Sequence, residues 1–590
     1  MLQGHNGRQD DASAYPSLSQ QLTFRAKATL LQLHRSIRNR WVNPVQTYTK
    51  ASALRDQPIL ATSKTPLRSS QDALEDRLIA GKIQNLRIAL QHINGIELPK
   101  DGIFSFWGQI GMPSQHRGYA IGREIRQGCL IPSVGGGLCQ LSNALYSLAL
   151  DTGAEIVERH AHTLVVPGSL AEMGRDATVF WNYVDLRFKA PVPLRIEAFL
   201  TSSDLVVQFR GQGLELVTPT QPSHQPIRAV LDNTHQCDTC TVVDCLKHMP
   251  PNRPQQSWER TAYLVDEYWP EFDRYLQTHR SAKDLLALPL NGKQWQKANY
   301  AWTTHGFGTV RSAAALTLGR SLASRRLATQ GRARQQQLLQ SDRQLAQSLG
   351  QWLTAEVTHI VVMQQLLPFL WQQGDLGGRS FDVLMTRLPL SLLQARLDQA
   401  HRKHPSSPTL CDFRTDPALV AAEAQALRSA RRLITPHTDL ANLFPEKTTL
   451  LDWDLPHRPT HPVRGQTILF PASTLGRKGA YELREAAKTL NLPLQLLGTD
   501  LEGENFWEGL NVWRSPLNSF AGIGLVVLPA YVEHTPRILL QAIAQGIPVI
   551  ASVACGLEHM PGVMTIPTGD EQALIQAIRK ELDRSDGQGD

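Results

Sequence analysis

The chain has 590 residues, 42 % hydrophobic and 19 % charged, which is the balance of a globular protein and excludes a disordered or fibrous one. No run approaches the ~20 apolar residues of a membrane-spanning helix, and Met1-Leu2-Gln3-Gly4-His5-Asn6-Gly7-Arg8 lacks the basic-then-apolar layout of a secretory signal. Seven scattered cysteines do not make a disulfide framework, so the expected compartment is the cytoplasm, up to the inner membrane surface.

The formal charge of +7 is unevenly placed: residues 1–70 hold ten Lys/Arg against three Asp. Residues 22–38 fit a basic amphipathic helix, suited to peripheral contact with an anionic membrane or to packing on the next domain. No nucleic-acid motif accompanies the charge, so no nucleic-acid partner is expected. Residues 41–75, rich in Ser, Thr, Pro and Gln, read as linker. The expected divisions are a basic segment and linker (1–70), a first domain (71–215), a Cys-rich connector (216–257) and two α/β halves (258–460 and 461–590).

In the first domain, apolar residues Leu74, Leu78, Ile79, Ile83, Leu86 and Leu90 predict a helix over 71–94. The turn Pro99-Lys100-Asp101-Gly102 leads into an aromatic strand, Ile103 to Trp107. Then comes Val134-Gly135-Gly136-Gly137-Leu138-Cys139-Gln140-Leu141-Ser142-Asn143-Ala144-Leu145-Tyr146. Three glycines open backbone conformations closed to other residues. The helix after them carries Leu138, Leu141, Leu145 and Leu148 on one stripe, with Cys139, Asn143 and Tyr146 opposite. A thiol in a first helical turn is biased toward thiolate. Runs at 155–160, 178–183, 194–200 and 205–210 predict strands of an antiparallel sheet, hence an α+β domain.

A thiolate nucleophile needs a base, and the base an orienting group. His160, His162 and Asp176 are the candidates, in the order Cys, His, Asp used by papain-like and NlpC-type hydrolases. The competing class is a binding pocket in which Cys139, His162, Arg175 and Trp181 hold an envelope sugar or peptide. Phe104-Ser105-Phe106-Trp107, Gly118-Tyr119, Gly135 to Ser142, Glu158-Arg159-His160-Ala161-His162 and Gly174 to Val179 together resemble the successive motifs of the VanW family, over about residues 80–212. The resemblance implies a fold unit and a cell-envelope context; it names no reaction.

In the connector, Cys237, Cys240, Cys245 and His248 form C-x2-C-x4-C-x2-H, four ligand types suited to a structural zinc site. Free or redox-active thiols and an iron–sulfur cluster are the alternatives.

Residues 309–353 read as one long arginine-rich helical region, a surface for anionic headgroups or a solvated face. Short apolar strands then alternate with helices, the pattern of a parallel α/β sheet. Gly476-Arg477-Lys478-Gly479, Val527 to Arg537 and Leu539 to Ser552 look like the nucleotide-sugar half of a GT-B glycosyltransferase of the large retaining, glycogen-synthase-like family. A fainter acceptor half carries Asp412, Glu423 and Ile434-Thr435-Pro436. The resemblance implies two Rossmann-like halves and a nucleotide diphosphate sugar as donor, with no metal needed. Arg477 and Lys478 would meet the diphosphate, Glu533 the sugar, and Gln541 the ribose, where the family has a second glutamate. The expected fold is thus multidomain, an α+β VanW domain followed by an α/β GT-B region. The expected function is sugar transfer to an envelope glycan or lipid-linked acceptor. The alternatives are a thiol hydrolase or transferase acting on a peptide or amide, and a non-catalytic scaffold for cell-wall precursors.

Overall fold

The computed structural model describes residues 32, 35–37, 39, 45–68, 76–126, 129–162, 164–165, 170, 172–213, 229–230, 258–326, 331–456 and 465–586. Most of the basic segment and the whole candidate zinc set (Cys237, Cys240, Cys245, His248) lie outside the described residues. The chain forms two compact units divided between Glu259 and Arg260, with residues 354–358 and 377–379 belonging to the first.

The first unit contains, in order, β1 (Ile59–Pro66), α1 (Asp76–Ile93), β2 (Ile96–Leu98), β3 (Ile103–Ser105), β4 (Ile121–Arg126), β5 (Cys129–Val134), α2 (Cys139–Asp151), β6 (Glu155–Glu158), β7 (Arg187–Lys189), β8 (Leu194–Leu200) and β9 (Asp204–Gly211). Its main sheet has the antiparallel order β1-β9-β8-β2. Leu205, Val207 and Phe209 on β9 and Leu194, Ile196 and Ala198 on β8 are all buried, so alternate residues supply one core face. Against it pack the stripe of α1 (Ile79, Ile83, Leu86, Ile93) and that of α2 (Leu141, Leu145, Leu148). The expected strand at 178–183 is instead a tight turn, in which Phe180 and Val184 exchange backbone hydrogen bonds. Asn182 there takes a positive φ of 48°, which an extended strand cannot accommodate.

The glycine run threads between α1 and the β4–β5 hairpin. Asn85 of α1 donates its amide to the carbonyls of Ala120 and Gly136, pinning the loop. Gly137 has φ +93°, and a Cβ there would stand 2.0 Å from Lys82 Cγ. The close approach, rather than flexibility, is what requires glycine.

The second unit is α/β throughout: β10 (Arg260–Leu264), β11 (Leu285–Leu288), β12 (Thr309–Ser312), α3 (Ala314–Arg326), α4 (Gly331–Gly350), β13 (Val357–Met363), β14 (Ser380–Leu384), α5 (Pro417–Ser429), β15 (Arg432–Thr435), β16 (Thr448–Leu450), β17 (Thr467–Phe470), α6 (Ala480–Leu490), β18 (Leu494–Leu496), β19 (Val512–Arg514), β20 (Ile523–Leu528), α7 (Arg537–Ala544), β21 (Val549–Ser552) and β22 (Val563–Ile566). The first sheet runs β12-β11-β10-β13-β14-β15-β16 and the second β19-β18-β17-β20-β21-β22. The second is parallel throughout. Both orders reverse direction beside their first strand, as in Rossmann-like sheets, so two such halves are present, as expected. The single helical region expected at 309–353 is corrected: residues 309–312 pair with β11 as an edge strand, and two helices follow. Strands β10, β11, β19 and β22 are not expected from the sequence, and β1 lies in the stretch expected to be linker.

Replacing Gly137 with alanine should cost about 1–3 kcal/mol, read as a lowered unfolding temperature. Alanine at exposed Gly213, where a Cβ meets nothing within 4 Å, should cost less.

Candidate functional sites

Both units gather chemistry-bearing side chains into clusters. In the first, Cys139 opens α2. The segment 176–179 is latched to that helix: Asn143 Oδ1 accepts from the Ala177 N–H at 2.8 Å, and Ser142 Oγ donates to the Ala177 carbonyl at 2.5 Å. The latch sets Asp176, fully buried, against His162. One carboxylate oxygen accepts from the His162 backbone N–H at 2.7 Å, and the other pairs with His162 Nδ1 at 2.5 Å. Arg159 Nε holds the Asp176 carbonyl at 2.6 Å and its guanidinium lies over the Tyr146 ring, so Tyr146, which the periodicity sets on the polar side of the helix, is buried.

Cys139 Sγ meets the Thr178 hydroxyl and the Val179 carbonyl, each at 3.8 Å. Burial alone would raise the thiol pKa, but the neighbouring His162 imidazole, helped by that carbonyl and hydroxyl, holds it below the usual value. Burial alone would lower the imidazole; the hydrogen bonds and charges of Asp176 and Cys139 outweigh it and push His162 up to about 10. Both shifts run in the same sense, toward a thiolate–imidazolium pair. His160 points elsewhere: its side chain is half exposed and sits 3.6 Å from Glu158. Arg175 pairs with Asp151 at 2.7 Å and with Ser147 Oγ at 2.7 Å, on the outer flank of α2. Trp181 stands edge-on to Trp107, with ring centroids 5.4 Å apart.

In the second unit, Lys478 lies in the loop after β17 and Glu533 in the loop after β20, the two strands that flank the reversal of strand order. Ligands of open α/β sheets bind in that crevice. Lys478 Nζ meets Glu533 Oε2 at 2.6 Å, and Glu533 Oε1 accepts the N–H groups of His534 and Thr535 at 2.9 and 3.0 Å. Burial would raise Glu533; the charge and hydrogen bond of Lys478 more than reverse that and hold it below the usual carboxylate value. Arg477 accepts the Tyr531 and Val532 N–H groups on its carbonyl and lays its guanidinium over Phe413 at 5.0 Å. The loop itself is held by Glu502, which accepts from Gly476 N–H at 2.6 Å and from the hydroxyls of Tyr481 and Ser407. Gln541 is exposed on α7.

The first half faces the same crevice. His437, just after β15, reaches the Glu533 carbonyl at 2.9 Å, and the Leu388 N–H reaches His534 Nε2 at 3.3 Å. Buried Glu423 is spoken for by Arg387 at 2.7 Å and the amide of Gln364. Asp412 sits within reach of the charges of Arg477, Arg332 and Arg414. One cluster went unforeseen: at the reversal point of the first sheet, buried Asp266 takes both oxygens to Arg320 Nη1 at 2.9 and 2.8 Å, and Gln365 to one of them. Its only sequence signal is an acidic pair, Asp266-Glu267, directly after the apolar run Ala262–Val265.

Glu533→Gln should strip Lys478 of its counter-ion in a site where the two side chains are 14 % and 10 % exposed, costing about 3 kcal/mol. Adding Lys478→Met should recover most of that loss in denaturant unfolding. Because the folded Glu533 pKa is depressed, the pair's contribution is complete above about pH 4.3, the unfolded value, and should fade as the pH falls through the lower folded one.

Residues 81–210 match the family described as VanW like protein. The uncharacterized protein YoaR of Bacillus subtilis is 33 % identical over 133 residues, 21 % of this chain and 43 % of that one. The vancomycin B-type resistance protein VanW of Enterococcus faecalis is 29 % identical over 126 residues, 21 % of this chain and 46 % of that one. The chain thus spans less than half the length of either relative. Among solved structures, a sucrose-phosphate synthase from Thermosynechococcus elongatus overlaps 55 % of this chain and 90 % of its own at 15 % identity, with a TM-score of 0.33. The lipopolysaccharide outer core galactosyltransferase WaaB overlaps 55 % and 91 % at 10 % identity, with a TM-score of 0.32. Such loose overlaps add nothing to the fold read from the strand order. Residues 81–210, with the glycine turn, Cys139, His162 and Asp176 inside them, are a VanW-like domain.

Proposed function

We propose that the second unit is a glycosyltransferase that moves a sugar from a nucleotide diphosphate to an acceptor of the cell envelope. The observation that carries this reading is the Lys478–Glu533 pair at the strand-order reversal, backed by Arg477. A basic pair there suits a diphosphate, and a buried carboxylate beside it suits sugar hydroxyls. The donor would take Lys478 from Glu533, one charge-assisted contact replacing another. As the bond between the anomeric carbon and the diphosphate oxygen breaks, charge grows on that oxygen. Lys478, Arg477 and the N-terminal end of α7 would neutralise it. Glu533 would hold the sugar in register, while Gln541, an amide, would contact the ribose more weakly than a carboxylate. Attack by an acceptor hydroxyl on the donor face, the retaining outcome, belongs to the same reading.

The acceptor is proposed to be lipid-linked. A groove of about 420 Å³ runs beside α4, lined by apolar Leu339, Phe369 and Leu419, by Arg332 and Arg343, and by Asp416 and the Asp398-paired Arg414. That combination fits an anionic amphiphile. Among the described residues no helix is long and apolar enough to cross a membrane, so the membrane contact in this reading is peripheral.

UDP- and GDP-sugars should raise the unfolding temperature of the second unit, and Lys478→Ala with Arg477→Ala should abolish the rise. A flat response across a nucleotide-sugar panel would sink the donor assignment. Separately, vesicles containing an anionic lipid should co-sediment the protein in low salt, and Arg332→Gln with Arg343→Gln should weaken that binding about 30-fold, roughly 1 kcal/mol per lost charge.

A further inference from the structure

We propose that the VanW-like domain is a second, independent enzyme: an acyl-transfer centre in which Cys139 Sγ attacks the carbonyl carbon of an amide or peptide, His162 moves the proton and Asp176 positions His162. Three separate parts of the chain converge to make it, which a cysteine merely packed behind a turn does not require. The glycine run lets the chain turn into α2 so that Cys139 begins the helix. Asn143 and Ser142 then latch residue 177 onto that helix, and the latch carries Asp176 beneath His162. With Nδ1 committed to Asp176 at 2.5 Å, Nε2 is the ring nitrogen left to meet the thiol.

The same arrangement has an open side. His162 keeps 28 % of its side chain exposed while Asp176 has none, so the ring spans from a dry carboxylate to solvent. Cys139 is half-buried rather than sealed. Around the ring, Arg159 is occupied by the Asp176 carbonyl and Tyr146, Arg175 by Asp151, and His160 by Glu158. None of these competes for the thiol. Lys82 packs under Gly137 on the other side of the turn.

The step balances without any outside oxidant or metal. The thiolate forms a C–S bond to the carbonyl carbon, and the carbonyl oxygen becomes an oxyanion at the start of α2. There the N–H groups of Gln140, Leu141 and Ser142 are taken by the Gly137 and Leu138 carbonyls, so the Cys139 N–H is the donor assigned to it. As the C–N bond breaks, the imidazolium of His162 gives its proton to the departing amine, leaving a thioester and a neutral ring. The ring then takes a proton from water or from an acceptor amine, which attacks the thioester and frees the thiolate. An amide is the class this pairing favours, because a poor amine leaving group is the one that needs a proton delivered.

The test uses the full-length protein with p-nitrophenyl acetate and iodoacetamide as probes. One equivalent of p-nitrophenol should appear as a burst, with an acetyl group on Cys139 that hydroxylamine removes; Cys139→Ser should lose the burst. His162→Gln should slow it about 100-fold. Iodoacetamide labelling of Cys139 should rise less steeply between about pH 6 and 8 than that of a free thiol, which gains roughly tenfold per unit below its pKa of ~8.5. Asp176→Asn should give Cys139 that ordinary profile, which loss of packing alone does not do. Acetylation only at Cys411, or Cys139 labelling indifferent to His162→Gln, would overturn the proposal. Neither result bears on nucleotide-sugar binding, so the two readings stand or fall separately.

Discussion

A carboxylate taken out of water has to be met by donors or it unfolds the site around it. Both units of this chain are organised round one such group. Asp176, with no exposed surface, receives the backbone N–H and the ring of His162. Glu533 receives two successive backbone N–H groups and the Lys478 ammonium. In the first the backbone donor is the basic partner's own N–H, and in the second the donors lie one and two residues after the acid, so satisfying the buried charge also constrains where the basic side chain goes. The position of His162 relative to Cys139, and of Lys478 relative to the crevice, follows from that requirement.

The second constraint is the direction of parallel strands. In a sheet whose order reverses beside its first strand, the loops at the carboxyl ends on either side of the reversal diverge and leave a gap. The second sheet fills that position with residues 471–479 and 529–536, and the first with Asp266 and Gln365. The halves meet through His437, Leu388 and Phe413, and through Arg537, which pairs bidentately with Glu271 while lying over Trp269 and Trp453. These contacts leave Lys478 and Glu533 paired with one another rather than with the opposite half.

Much of this was legible beforehand, for particular reasons. The stripes of α1 and α2 and the alternation in β8 and β9 are local patterns, and each appears where its period places it. The motif series pointed to the VanW-like domain, which residues 81–210 match. Strands β10, β11, β19 and β22 were missed, and β1 reads as linker because its Ser, Thr and Pro residues look like one. The stretch 309–312 was absorbed into a helix because its single valine says nothing about the neighbouring strand that captures it. The turn at 178–183 looked like a strand since its aromatic residues fit one, while Asn182 alone carried the contrary signal.

What the sequence by itself determined is therefore the kind of each module: periodicity set the helices and most strands, and the motifs set the chemistry available. Only the tertiary structure sets His162, rather than chemically identical His160 two residues before it, against Asp176. The choice depends on Asp176, fourteen residues further on, being latched to α2 by Asn143 and Ser142. The same holds for Asp266 and Arg320, fifty-four positions apart, and for Lys478 and Glu533, fifty-five apart. Local patterns report on neighbours along the chain, whereas a charge buried in a core finds its partner through space.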